Sequence, residues 1–436
     1  MATPAMKIRT LAETTTSRAF GGDDWGVDRL MDAGYAQTEL LLAGVAANEP
    51  FTVRALLRHP IDFSRASGVA VVEPMHFAGG RSAWPVIQRE TVRAGHVWAE
   101  VSCQPSAVGI LSSFDADRYA SVALVDGAGP DAPSTASIGT DAATGRTMDD
   151  VRRESEKFRR RWFAAAVQAP EILGQFADAL RSGAGPLGSV STVLLTGLSQ
   201  TGGFTRNFAM AHHAALSGTH PVFDGYLPMC SGGDALPDLD VPIIELLAES
   251  EMEQLRVSHL LPGQTVAFTH RRADSHRFRL YEVAGMSHAD TRDHPPQHPG
   301  ELVPGQRWST FPSSHVVAAA LASLVRWARD GHEPPPGAVF TLDRDGKLAR
   351  DEHGNVTGGL RTPHVDVPTS TISAISGPGA AWLNGCEQPF PPHKLRALYG
   401  TEDAYRMRVA ACLDELVELG YVLRPDADEY LAEAHW

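Results

Sequence analysis

Short apolar runs that stop at glycine alternate along the chain with stretches whose apolar residues recur at helical spacing, a pattern that predicts strands and helices in turn. Gly34 to Gly44 and Phe51 to Pro60 have strand character and are expected as an outer antiparallel pair of a mixed sheet. The run Val69-Ala70-Val71-Val72 ends in a loop, His76-Phe77-Ala78-Gly79-Gly80. A helix is expected from Val86 to Ala94, and the next central strand from Gly95 to Gln104. Strand, helix and strand at that spacing make a β-α-β unit with a right-handed crossover and a parallel pair. Further strands are expected from Thr192 to Thr196, from Phe223 toward Gly233, from Val241 toward Glu251 and from Phe278. Helices are expected from Phe204 to Leu216, His315 to Arg329 and Ala404 to Leu419. The second of these is amphipathic, with Val316, Val317, Ala320, Leu321, Leu324 and Trp327 turned inward.

The segments between these elements set the expected organisation. Residues 1–25 read as a loosely ordered lead-in. Residues 113–146, rich in Asp, Ala, Gly, Ser and Pro, read as a long loop, and Asp149 to Arg181 as a helix or helix pair with Ile172, Phe176 and Leu180 facing the core. Together 113–185 is the expected lid or insert. The Arg159-Arg160-Arg161 run reads as a solvated face. From Gly331 the chain breaks at Pro334-Pro335-Pro336 and continues as an extension, 331–436, that wraps the core. The reading is one α/β domain over 1–436, a mostly parallel sheet flanked by helices, with no internal repeat.

Composition narrows the function classes. At 43% hydrophobic and 21% charged, the 436 residues have the balance of a soluble globular protein. A formal net charge of -14 opposes nucleic acid or an anionic membrane surface as the main partner. Cys103, Cys230, Cys386 and Cys412 form no C-x-x-C pair, so they read as reduced core thiols rather than a zinc knuckle or disulfide framework. The first twenty or so residues lack an apolar signal region, and no run of about 18 apolar residues occurs, which places the protein in the cytoplasm as an expectation.

The chemistry concentrates where the strand Thr192 to Thr196 meets the following helix, at Gly197-Leu198-Ser199-Gln200-Thr201-Gly202. Small residues around a serine on a strand-to-helix turn let neighbouring backbone approach and expose the hydroxyl, the arrangement of a nucleophile elbow. Thr201 stands where that pattern has a second glycine, and Gly202 and Gly203 follow to relieve the crowding. The plain alternative is a turn whose serine caps the helix. A serine nucleophile needs a base, and the base needs a carboxylate to fix its tautomer. His288 follows the strand from Phe278 by a Gly285-x-x-His288 turn, and Glu249 and Glu251 both lie at the end of the strand from Val241. Position beyond the strand favours Glu251, with Glu249 retained. For an oxyanion hole, the backbone N–H of Gln200 supplies one donor and the loop at His76 and Phe77 the second, with Gln104 a further lining residue. His212-His213 lacks a third ligand, and the segment from Asp290 to His294 with His298 reads as a solvated loop, so no metal is expected. No G-x-G-x-x-G follows a strand, so no dinucleotide or other cofactor is expected.

With these residues in place the chain resembles the α/β-hydrolase superfamily, and within it a bacterial branch labelled alpha/beta hydrolase domain-containing protein. The resemblance rests on Gly34-Tyr35, Val72-Glu73 before Gly79-Gly80, and Ala99-Glu100-Val101-Ser102-Cys103-Gln104 with Arg118-Tyr119. It continues through Leu195 to Gly202, Tyr281 to Asp290 and Arg361 to Pro368. In that branch a threonine after Ser-Gln is usual, and Glu-x-Asp stands where this chain has Glu249-Ser250-Glu251, which keeps Glu249 in contention. What the resemblance implies is a hydrolase fold and a serine nucleophile. The expected activity is hydrolysis of a small-molecule carboxylic ester through an acyl-enzyme, with Ser199, His288 and Glu251 or Glu249 as the catalytic set. The alternatives are an acyltransferase or lyase on the same site, or an inactive hydrolase fold serving as a binding protein.

Overall fold

The computed structural model describes residues 6–21, 27–125, 166–184, 188–252, 271–289, 291–292, 302–377 and 383–436. Strand β1 (Lys7–Thr10) pairs antiparallel with β2 (Tyr35–Ala46), so the lead-in contributes an edge strand instead of the loose segment expected; backbone pairing to Leu40–Ala43 supplies the order that its polar sequence hides. A short helix α1 (Val27–Asp32) precedes β2. Ala47 and Asn48, both at positive φ, then turn β2 into β3 (Glu49–Pro60), the two-residue turn whose twist matches a hairpin.

Strand β4 (Val69–Pro74), helix α2 (Trp84–Ala94) and strand β5 (Val97–Val101) form the β-α-β unit, with β4 and β5 parallel neighbours. Helix α3 (Ser106–Phe114) follows. Residues 126–165, which hold most of the expected insert and the arginine run, lie outside the described residues. Its far end, α4 (Ala169–Ser182), packs on the sheet through Ile172, Phe176 and Leu180. Then come β6 (Thr192–Leu198), α5 (Gln200–Ala211), β7 (Gly225–Met229), β8 (Ile243–Ala248) and β9 (Phe278–Val283). The nine strands run in the order β1-β2-β3-β5-β4-β6-β7-β8-β9, and β5 through β9 are mutually parallel.

Alternation along the central strands supplies both faces. Val193, Leu195, Tyr226 and Ile243 join the cluster under α4 and α5. Leu194, Leu227 and Ile244 join the one under α2 and α6 (Ser313–Asp330), where Val316, Val317, Leu321, Leu324 and Trp327 also lie. A sheet covered on both sides needs apolar residues in both registers, which is why these strands read as continuous apolar runs.

Buried charges tie the outer hairpin down. Glu39 accepts from Arg54 Nε (2.9 Å), Arg118 Nη2 (2.6 Å) and the Tyr119 hydroxyl (2.7 Å), and Arg54 also reaches Glu100 (2.5 Å). Glu73, fully buried in β4, accepts from Trp98 Nε1 (2.8 Å) and from the Ala83 N–H (3.0 Å). Burial, reinforced by the nearby Glu100, pushes its carboxyl up to about 8.

The extension carries a small antiparallel sheet in the order β10 (Arg307–Trp308), β12 (Cys386–Pro389), β11 (Ser370–Ser373), followed by helices α7 (Glu402–Leu419) and α8 (Arg424–Glu433). It also carries two similar tight hairpins in succession. Asp343-x-Asp345-Gly346-Lys347 is followed by Asp351-x-His353-Gly354-Asn355, and each aspartate Oδ1 accepts the same two N–H groups, from Asp345 and Lys347 in one hairpin and His353 and Asn355 in the other, all at 2.9 Å. Gly346 and Gly354 both sit at positive φ, and Ala349 to Thr341 and Thr357 to Ala349 are equivalent backbone bonds of 2.9 Å. The sequence repeats with the geometry: Asp343, Gly346 and Leu348 recur eight residues on as Asp351, Gly354 and Val356. Among the described residues no helix is long and apolar enough to cross a membrane.

Candidate active site

Parallel strands put all their carboxyl ends on one edge, so residues following β4, β6, β7, β8 and β9 converge there. Ser199 follows β6 in a left-handed conformation, φ 62 and ψ -118, that a side-chain-bearing residue adopts only when its surroundings impose it. Its N–H donates to the Met229 carbonyl (3.0 Å), its carbonyl accepts from Gly203 (2.9 Å), and its side chain makes no capping bond to α5. The hydroxyl is therefore not spent on the helix, and Ser199 is half-buried.

The glycines account for the turn. A Cβ on Gly197 would stand 2.2 Å from the Thr201 carbonyl carbon, and one on Gly202 would stand 2.4 Å from the Met229 oxygen. Gly202 thus fills the steric role that the usual elbow gives to the residue before it. Thr201 does something else: its buried hydroxyl accepts from Leu198 N–H (2.9 Å) and donates to the Leu198 carbonyl (3.0 Å), closing the turn from inside.

His288 follows β9, and its Nδ1 lies 2.5 Å from Glu251 Oε1, with both side chains nearly buried. Glu251 Oε2 accepts from the Ala248 N–H at 3.2 Å. Glu249 goes elsewhere: it accepts from the Gly285 N–H (2.7 Å) and from Arg350 Nη2 (3.2 Å). Strand alternation would have kept the two carboxylates on one side, but residues 249–252 are already helical, and two residues on a helical turn differ by about 200°. Glu249 is therefore a pin for the turn that carries His288. Gly285, at φ 82, has Val365, Phe311 and Ile372 close around the place of a Cβ, so the extension packs directly on that turn. Ala289 N–H donates to the Leu383 carbonyl (2.8 Å), and Arg292 reaches Glu433 on α8 (2.6 Å).

The loop after β4 closes the other side. Gln200 Oε1 accepts from the Phe77 N–H (3.0 Å), its Nε2 donates to Gln104 Oε1 (3.2 Å), and Gln104 Nε2 donates to the Met75 carbonyl (2.6 Å). This clamp fixes the loop against the start of α5 and commits the Phe77 N–H, which corrects Phe77 as an oxyanion donor. The Gln200 backbone N–H, first in its helix, has no intrahelical acceptor. His76 Nδ1 accepts from Ala78 N–H (3.1 Å), so a neutral ring carries its proton on Nε2. Burial, with Arg81 and His288 adding to it, pushes His76 down to about 4 and keeps it neutral.

Sequence reasoning missed Cys230. It follows β7, the strand between those of Ser199 and Glu251, and its Sγ, a Glu251 carboxylate oxygen and a His288 ring nitrogen all lie within 4.8 Å of one another. Burial, and then the Glu251 charge, hold its thiol well above the ordinary range. The signal available was position alone, at the carboxyl end of a strand flanked by those that lead to Ser199 and Glu251. His213 proves structural, bonded to the Tyr226 hydroxyl (2.7 Å) and Asp240 (2.6 Å), while Asp290, His294 and His298 lie outside the described residues.

The alpha/beta hydrolase domain family matches residues 3–432 of the chain. No curated protein matches it. Among solved structures it is similar to a zinc-bound, cold-adapted esterase from an Arctic intertidal metagenomic library, at 12% identity and a TM-score of 0.31 over 57% of this chain and 83% of that one. It is also similar to an acetyl xylan esterase from Paenibacillus sp. R4, at 10% identity and a TM-score of 0.32 over 68% and 84%. A promiscuous CE15 esterase from a marine bacterial metagenome matches at 10% identity and a TM-score of 0.29 over 57% and 69%.

Proposed function

Because the chain belongs to the alpha/beta hydrolase domain family, we propose that it is a serine carboxylic-ester hydrolase working through an acyl-enzyme. Ser199 Oγ attacks the acyl carbonyl carbon while His288 Nε2 takes its proton. Glu251 holds the Nδ1–H and balances the imidazolium that forms. The Gln200 backbone N–H and His76, as a neutral donor, face the developing oxyanion. His288 then returns the proton to the departing alkoxide. Water, deprotonated by the same ring, attacks the acyl group and releases the carboxylic acid and Ser199.

The observation that carries this reading is the left-handed serine whose hydroxyl caps nothing, on the sheet edge that also holds the His288–Glu251 pair. Between β6 and β9 lie three strand spacings, about 14 Å, which the turns after β8 and β9 must span for the imidazole to reach the serine. The test is a pre-steady-state burst with a short-chain nitrophenyl ester. An acyl-enzyme gives one nitrophenolate per active chain before the steady rate, and Ser199→Ala gives neither burst nor turnover. Turnover persisting in that variant overturns the reading.

A further inference from the structure

We propose that Cys230, Glu251 and His288 form a binding site for a thiophilic divalent cation, zinc or cadmium, and that occupancy of this site arrests the enzyme. The inhibitory half rests on the serine-esterase reading; the binding half does not. Among the described residues these three form the one group of metal-ligating side chains whose donor atoms lie within 4.8 Å of one another.

The placement follows from the sheet. Cys230 follows β7 at positive φ (49°) and its N–H is fixed to the Leu246 carbonyl of β8 at 2.8 Å, which holds its Cβ beside the turn that starts at Glu249. All three residues are buried or nearly so, at 3, 8 and 7% exposure. A thiolate, a carboxylate and an imidazole are a donor set that zinc accepts, with bonds of about 2.0–2.3 Å and a fourth position left to water. Tetrahedral geometry at those lengths sets donor atoms roughly 3.3–3.8 Å apart, so Glu251 Oε1 and His288 Nδ1, 2.5 Å apart, must open by about 0.8 Å, while the Cys230 sulfur, within 4.8 Å of both partners, must close by about 1.3 Å at most.

The ring nitrogen that faces Glu251 is Nδ1. A cation there stands in place of the Nδ1 proton, and the thiol proton of Cys230 passes to solvent as the sulfur becomes a ligand. The proton displaced from Nδ1 moves to Nε2, so the ring stays neutral but His288 has no lone pair left with which to deprotonate Ser199. Inhibition by this route leaves the serine chemically intact and is reversed by a chelator.

The experiment titrates the full chain with cadmium ion in a non-thiol reductant, reading ultraviolet thiolate-to-cadmium absorption, calorimetric stoichiometry and nitrophenyl-ester hydrolysis, each variant relative to its own metal-free rate. The expected result is one cadmium per chain, a thiolate band, and activity lost and then restored by EDTA. Since losing even an outer-shell partner lowers metal affinity about 10–100-fold, Cys230→Ser should raise the half-inhibitory concentration at least about tenfold and remove the band, while Cys412→Ser changes neither. Cys230→Ala repeats the test, and if neither variant folds, cadmium NMR of the wild-type chain decides between a sulfur-bearing and an all-oxygen ligand set. No thiolate band, an all-oxygen set, or inhibition unchanged in Cys230→Ser overturns the proposal. Hydrolysis surviving in Ser199→Ala would remove the esterase reading and leave the cation site standing on its band. A missing band with Ser199-dependent hydrolysis intact removes the cation site alone.

Discussion

Replacing Glu251 by glutamine should cost far more activity than replacing Glu249, although the two stand two residues apart and both are buried. Glu251 Oε1 meets His288 Nδ1 at 2.5 Å, and Oε2 accepts the Ala248 N–H at 3.2 Å. A glutamine has one oxygen. Given to Ala248, it turns the NH2 toward Nδ1, which must then accept, so the ring proton moves to Nε2 and the base faces Ser199 already protonated. Loss of the correct tautomer and of the charge that balances the imidazolium costs about 10⁴-fold in kcat, roughly 5.4 kcal/mol of barrier. Glu249→Gln keeps an oxygen for Gly285 N–H and loses the ion pair with Arg350, whose side chain is 31% exposed. Neither contact of Glu249 touches the reacting atoms, so kcat should stay within about tenfold. The assay is kcat for a short-chain nitrophenyl ester, normalised to active sites. Glu251→Gln retaining more than about a tenth of kcat, or Glu249→Gln falling as far, refutes the assignment.

Two further perturbations test the frame that holds the site. Thr201→Val keeps the shape but leaves the half-buried Leu198 N–H without its acceptor, so stability to urea should fall by about 1 kcal/mol, whereas Thr201→Ser should stay close to wild type; a valine variant as stable as wild type would show that the hydroxyl closes nothing. Glu73, raised by burial to about 8, keeps in the fold a proton that the unfolded chain releases near about 4.3. Its contribution is fully present below the lower value and is lost as pH rises through the upper one, by up to about 1.4 kcal/mol per pH unit. The melting temperature of Glu73→Gln should therefore gain on wild type between pH 5 and 8, and a constant difference across that range would contradict the sign.

What could be read from sequence was whatever apolar runs and glycines dictate locally. Thr192 to Thr196 and Val241 to Ala248 announce themselves because both faces of their sheet are covered, and Ser199 because Gly197 and Gly202 leave no room for a Cβ. Choosing between Glu249 and Glu251 required knowing that β8 stops at Ala248 and that a helical turn begins at once. The Phe77 N–H is taken by the Gln200 side chain, a contact between the loop after β4 and the start of α5 that no local pattern encodes. Cys230 shares that cause: its meaning lies in which strands it ends up between, and strand order is a property of the whole sheet. Arg118 and Tyr119 are similar: their sequence says only loop, and their shared acceptor Glu39 lies on β2.

The most direct test of the central claim is labelling by a fluorophosphonate, followed by mass-spectrometric mapping of the modified peptide. Covalent capture requires a serine whose proton is being withdrawn, so the account predicts one label per chain, on Ser199, absent in Ser199→Ala and strongly slowed in Glu251→Gln but not in Glu249→Gln. A label on another residue, or none on a folded chain that hydrolyses esters, would contradict it.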